Sequence, residues 1–232
     1  MVSARASAVR PVVDDLQRIF ERRLEAVVIY GWRPQGAVPT LALVQSLSFE
    51  DLTSCAERAG MWRRAGAATP LLLTRADFAR SLDAFPIEYG DIVAHHELVL
   101  GEDPFAGLTI NPEDLRRACE VQVKSHLLHL REDYIESGAR RGEIDELVRE
   151  SAPGFVAVLR HLSRLDGAAG DAPPDLVAYA TRMIRLSPHV VADLIALADT
   201  EAMSSIDTVK LFPAYLAAME RLGEFVDRWR AA

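Results

Sequence analysis

The chain has 232 residues, 50% of them hydrophobic, with 26 Lys or Arg against 34 Asp or Glu and a formal net charge of −8. So much apolar material excludes a disordered or collagen-like chain, and the length accommodates one large domain or two small ones. The acidic balance excludes broad, sequence-independent nucleic-acid binding, which needs a surplus of Lys and Arg against the phosphates.

Pro11 suits a first helical position, where its missing N–H has no intrahelical partner to lose. Val12, Val13, Leu16, Ile19 and Phe20 then form one stripe, which predicts a helix from Pro11 to about Leu24. The β-branched run Ala26–Tyr30, stopped by Gly31, reads as a buried strand. A turn-rich stretch, Trp32–Gly36, leads to a second strand at Thr40–Val44. Ser48 is a helix cap with Glu50 and Asp51 in the first turn, opening a helix to about Ala59. Pro70–Leu73 reads as a third strand, and Thr74 caps a helix to about Leu82 with Asp77 at its third position. Pro86–Tyr89 and Glu97–Leu100 read as further short strands, and Gly101–Gly107 as a linker.

The second half reads as helix after helix. Asn111 is a cap, Pro112 fits the first helical position, and Glu113 and Asp114 favour the positive end of the helix dipole. A second helical segment reaches Leu165, with Pro153 expected to break or kink it. Ser187–Pro188 starts another helix through Ala198, and a last one carries Val209, Phe212, Leu216, Met219, Leu222, Val226 and Trp229 on one face. Such stripes predict a bundle. The fold class is therefore α+β, with a small mixed-sheet domain over 1–110 and an all-α bundle over 111–232. Cys55 and Cys119 have no metal-ligand spacing and read as buried free thiols. With no apolar run long enough for a membrane span and no secretory leader pattern, the expectation is a cytoplasmic protein with no membrane partner.

Several residues are site-like. Gly31 and Gly36 beside a strand allow a turn whose amides cradle phosphate, or else an ordinary turn between paired strands. Glu88 and Asp91 are either pocket carboxylates or charges closing a strand onto solvent. His126 and His129 share a helix face, but no further ligand is placed for a metal, and Asp133 is the simpler partner of His129. His95–Glu97 reads as a surface turn. Arg116, Arg117, Lys124 and Arg131 recur along the first bundle helix as a solvated or salt-bridged face.

The chain resembles nucleotidyltransferase-like proteins of the polymerase-β superfamily, of which the aminoglycoside nucleotidyltransferases are distant relatives. The likeness rests on Tyr30–Gly31 after a strand, Thr74–Asp77, Phe85–Tyr89, Leu100–Gly107 and Leu127–Arg131 with Tyr134. It implies a nucleotidyltransferase domain followed by a helical domain. The family's motif is glycine-serine after the first strand, a glycine some five residues on, and Asp-x-Asp on the next strand. Alternate strand residues share a face, so the two aspartates hold Mg²⁺ ions for an in-line transfer.

Here the glycine positions are Gly31 and Gly36, but the serine position is Trp32 and the two aspartates fall at Thr40 and Ala42. The third acidic position, near Thr69–Leu71, is not acidic either. The expectation is a catalytically degenerate nucleotidyltransferase-like protein with no catalytic residues, no metal and no cofactor, which binds a protein partner or a small ligand. The ligand or nucleotide cleft the resemblance implies involves Gly31, Arg33, Gln35, Gly36, Glu88, Asp91, Lys124 and Arg131. One alternative is an active Mg²⁺-dependent enzyme moving a nucleoside monophosphate from a triphosphate to a small-molecule or protein hydroxyl, with Glu88, Asp91 or Glu97 rebuilding the metal site. The other is a self-associating helical module, a homodimer joined through Phe212, Leu216 and Trp229.

Overall fold

A computed structural model describes residues 4–31, 36–168, 170, 172–199 and 205–230. The chain divides into two compact units, Met1–Ile110 and Asn111–Ala232, which are described separately.

The first unit begins with α1, Ala4–Phe20. Its start lies a turn or more before the predicted one, so Pro11 sits inside the helix and not at its first position. The apolar stripe explains the extension: Val9, Val12, Val13, Leu16 and Phe20 are all buried in one cluster. A 3₁₀ turn, Glu21–Arg23, leads into β1, Leu24–Tyr30. Then come β2, Thr40–Val44, and α2, Phe49–Arg64. The latter outruns its predicted end because Trp62 is fully buried, its indole N–H donating to Asp15 at 2.9 Å. β3, Leu71–Thr74, is followed by α3, Arg75–Ser81.

The next segment differs from the sequence reading. Pro86–Tyr89 is not a strand but the start of a helix, α4, Pro86–Ala94. Tyr89 and Ile92, three apart, both bury beneath the sheet, which a helix permits and a strand would not. β4, His96–Gly101, closes the sheet.

The sheet order is β3-β2-β1-β4, with β1 antiparallel to both neighbours and β2 parallel to β3 across the α2 connection. Both faces are covered. Val27, Ile29, Ala42 and Val44 pack on α1 and α2. Val28, Leu41 and Leu43 pack on Phe78 of α3, Tyr89 and Ile92 of α4, and Phe105. Gly101 pairs with Ala26 at φ +82°, where an added Cβ would collide with the Glu25 carbonyl.

The second unit holds α5, Pro112–Glu136, and α6, Arg141–Leu165. It continues with α7, Pro173–Tyr179, and a π-turn, Ala180–Ile184, neither of which was anticipated. α8, Pro188–Ala198, and α9, Thr208–Arg228, complete it. α6 is its centre, packing on α5, α7, α8 and α9. It runs on through Pro153 without breaking, held by Ala152, Phe155 and Val156 in the core. Trp229 lies just beyond the end of α9 and donates its indole N–H to Asp166 at 2.6 Å, while Phe212 stacks on Tyr134 at 4.6 Å. Much of the stripe read on this helix is thus occupied within its own unit. Both cysteines are buried free thiols, pushed by burial up to about 11 for Cys55 and about 12 for Cys119, so neither is nucleophilic at neutral pH.

Candidate ligand pocket beside Gly31

A cavity of about 690 Å³ opens in the first unit where β1 ends and α4 begins. Its size lies within the range of small-molecule sites. The strands contribute Tyr30 and Leu71, the residue after β1 contributes Gly31, and α4 with its capping residue contributes Phe85, Glu88, Tyr89 and Asp91.

Pro86 at the first helical position turns the chain so that Phe85 stays outside, half exposed, with its ring edge-on to Tyr89 at 6.3 Å. Tyr89 is buried, T-shaped on Phe78 at 4.9 Å, with its hydroxyl 3.0 Å from Ser81 Oγ. Burial, and then the neighbouring Tyr89, raise the Tyr30 phenol above its ordinary value, so it stays neutral. Glu88 and Asp91 are one helical turn apart and therefore share a face. They do not close a strand onto solvent. Among the described residues Glu88 is exposed and has no polar partner. Gly31 and Gly36 both take positive φ, +58° and +110°, and Arg5 from α1 donates to the Gly31 carbonyl at 2.8 Å.

Gly31, Glu88 and Asp91 thus meet in one pocket. Trp32, Arg33 and Gln35 lie outside the described residues. Lys124 and Arg131 belong to α5 of the second unit, where Lys124 pairs with Glu120 and Asp227 and Arg131 pairs with Glu220 at 2.7 Å. The aromatic walls were the missed part. Phe85 precedes and Tyr89 ends a run that reads as a strand, and their convergence depends on its being a helix.

Thr40 and Ala42 stand away from this cavity. Ala42 belongs to the α1–α2 cluster, and Thr40 pairs across the sheet with Ile29 of that same cluster. Strand alternation therefore turns both side chains toward α1 and α2. Thr40 is fully buried, and its hydroxyl has no hydrogen-bond partner among the described residues. The opposite face of β2 presents Leu41 and Leu43. Neither β2 nor β3 holds an acidic residue, and the one on β1, Glu25, pairs with Arg75 at 2.5 Å.

Among the described residues no group of three His, Cys, Asp or Glu side chains is placed to hold a metal. The Mg²⁺ of the resembled family needs hard oxygen donors, and the hydroxyl and methyl at positions 40 and 42, turned into the core, do not fit it. His126 and His129 do not converge: His126 is half buried with Nε2 2.6 Å from the Tyr215 hydroxyl, and His129 is exposed. Among the described residues the partner of His129 is Glu132 at 3.6 Å, and not the expected Asp133.

His96 is not in a surface turn either. It starts β4, with Nδ1 3.1 Å from the Ile92 and Val93 carbonyls and Nε2 3.1 Å from Asp103. Asp103 also accepts from the Phe105 amide at 2.9 Å. The Gly101–Gly107 stretch is therefore a structural clamp on the end of α4.

The fold is nucleotidyltransferase-like: a small mixed sheet with its helices, followed by a helical unit. A solved structure similar to this chain is spectinomycin adenyltransferase AAD(9) from Enterococcus faecialis, with ATP and spectinomycin. The TM-score is 0.56 at 10% identity, over 93% of this chain and 98% of that one. No family model matches the sequence, and no curated protein matches it closely enough to report.

Proposed function

We propose that this chain is a catalytically degenerate nucleotidyltransferase-like protein that binds a small organic cation in the pocket beside Gly31. One observation carries the reading: β1, β2 and β3 turn apolar side chains and the Tyr30 phenol to the pocket face, while the carboxylates come from α4. Aromatic walls with Glu88 and Asp91 at the rim suit a ligand with a flat or alicyclic body and an amine. AAD(9) is described with such a compound, spectinomycin, and with ATP, which makes both reasonable probes for this chain. The two free thiols agree with a reducing, cytosolic setting. Among the described residues no helix is long and apolar enough to cross a membrane.

Isothermal titration with spectinomycin and other small amines, and with ATP in the presence and absence of Mg²⁺, tests this reading, alongside a transfer assay using labelled ATP. Saturable amine binding without transfer is the expected result. Robust Mg²⁺-dependent transfer would instead favour the enzyme alternative, with carboxylates of α4 or Glu97 supplying the metal site.

Self-association is a second reading, for which α5 offers an exposed apolar line. Val121, Leu128 and Ile135, seven residues apart, are 69%, 63% and 77% exposed along one line of that helix. Arg117 and Lys124 lie toward one end of this face and Glu132 and Glu136 toward the other. A second copy crossing antiparallel at Leu128 would bury this apolar line against itself in a twofold pair. Light scattering of the chain and of Leu128→Asp tests it: a dimer mass reduced to monomer supports the pair, and a monomeric wild-type chain removes it.

A further inference from the structure

The second unit has a concavity of about 500 Å³ where the π-turn meets the last two turns of α9. Its walls carry Arg185, Arg221 and Arg228 against a single carboxylate, Glu224, with Met183 and Phe225 as apolar surface. We propose that this pocket binds a phosphate-class oxyanion, as the free ion or as the terminal group of a small phosphomonoester. The inference is independent of the pocket beside Gly31.

The charge arrangement is the first argument. Glu224 is engaged by Arg228 at 3.3 Å, one turn on. Arg221 donates Nη1 to the Arg185 carbonyl at 2.8 Å, and among the described residues neither Arg221 nor Arg185 forms an ion pair. A guanidinium has five N–H donors in a planar fork, so most of the donors of these two remain for a ligand. Gathering three cations about one anionic side chain is unfavourable by itself, and it occurs in a chain whose net charge is −8. An oxyanion at the centre relieves that repulsion, and forked N–H groups match tetrahedral oxygens in pairs.

The backbone is the second argument. Arg185 ends the π-turn at φ +61° and ψ +37°, the left-handed region that residues with a Cβ seldom occupy. Its amide returns to the Ala180 carbonyl, as does that of Leu186 at 3.1 Å. π-turns and strained left-handed residues recur where a side chain must be aimed at a ligand. A turn needing only this backbone shape would be better served by glycine. Arginine at this position puts a guanidinium on the rim of the concavity. Met183, 44% exposed, and Phe225 then offer contact to whatever the phosphate is attached to.

Two variants separate binding from fold. Arg185→Gly relaxes the left-handed residue, so its melting temperature should equal or exceed that of the wild type while its anion affinity falls. Arg221→Gln removes a second charge from the opposite wall. Calorimetric titration of the full chain with inorganic phosphate, pyrophosphate and phenyl phosphate, against chloride at matched ionic strength, should give saturable binding at millimolar or lower concentration. Each variant should weaken it about tenfold or more, as expected for loss of a charge-assisted hydrogen bond. Tighter binding of phenyl phosphate than of phosphate assigns the site to a phosphomonoester, and equal affinities assign it to the free ion. Absence of saturable heat with all three anions, or affinities unchanged in both variants, overturns the proposal.

Discussion

Thr40 offers a direct test of which way β2 faces. Its side chain is fully buried on the α1–α2 side, and its hydroxyl lacks a partner among the described residues. Valine has the same shape and the same branched Cβ, so Thr40→Val removes an unpaired polar atom without opening a cavity. Leaving a buried hydroxyl unpaired costs about 1–3 kcal/mol, and the substitution should return about 1–2 kcal/mol of that. In a chain of this size each kcal/mol moves the melting temperature by about 2–4 °C. Thr40→Asp is the opposite perturbation. It places a carboxylate among Ile29, Ala42 and Val44 on the buried α1–α2 face of β2, and should destabilise by about 3–5 kcal/mol. Urea unfolding followed by circular dichroism, with and without millimolar Mg²⁺, measures both. The expected pattern is a stabilised valine variant and a destabilised aspartate variant that Mg²⁺ does not rescue. An aspartate variant as stable as wild type, or one stabilised by Mg²⁺, would refute the assignment of Thr40 to the core and reopen β2 as a metal-binding strand.

Asp51 completes the capping box with Ser48 and receives both terminal nitrogens of Arg23 at 2.8 Å. The Arg23 guanidinium holds the Asp51 carboxyl well below the usual range, so its stabilisation is full above the unfolded value near pH 4 and is lost as pH falls through the lower folded value. Asp51→Asn should cost about 1–2 kcal/mol at neutral pH and flatten the acid limb of a stability–pH curve. Burial, with His129 nearby, lowers the pKa of His126, so the unfolded chain takes up that proton first and stability falls as pH drops below about 6.5. His126→Gln should remove that slope, and Tyr215→Phe, which strips His126 of its hydroxyl partner, should cost about 1–3 kcal/mol by thermal denaturation. Gly101→Ala should lower stability by about 2 kcal/mol or more in the same assay, because the methyl meets the Glu25 carbonyl at a positive φ.

Elements fixed by local chemistry were legible. β2 occupies Thr40–Val44 as read, and Ser48, Thr74 and Asn111 each accept a hydrogen bond from the amide that a capping side chain should satisfy. Elements fixed by tertiary burial were not. Pro86–Tyr89 is short and largely apolar, and four residues cannot distinguish a period of two from one of 3.6. Only the joint burial of Tyr89 and Ile92 under Leu41 and Leu43 selects the helix. α7 and the π-turn escaped for the same reason: Leu176, Tyr179, Ala180 and Ile184 declare themselves only against the core they join. Of the candidate pocket's lining, Gly31, Glu88 and Asp91 stand out in the sequence by residue type, because positive φ and carboxylates leave a local mark. The walls Tyr30, Phe85 and Tyr89 were missed because their convergence follows from the helix.

Parity along β2 placed Thr40 and Ala42 on one face but gave no indication of which face meets the pocket, since all five residues of that strand are buried. Once the face is known, the chemistry narrows. Carboxylates on alternate strand residues stand on a rigid, shared floor and can clasp a dication between them. Glu88 and Asp91 instead rise from a short helix beside a cavity whose other described walls include aromatic rings and leucine. A magnesium ion gives up its water reluctantly and needs near-octahedral oxygen. An alkylammonium group asks for one or two carboxylates on one side and tolerates apolar contact on the other. On the proposed reading, the same two side chains serve an amine better than a metal. Within that proposal, this difference in solvation argues for binding more than the missing Asp-x-Asp does taken alone.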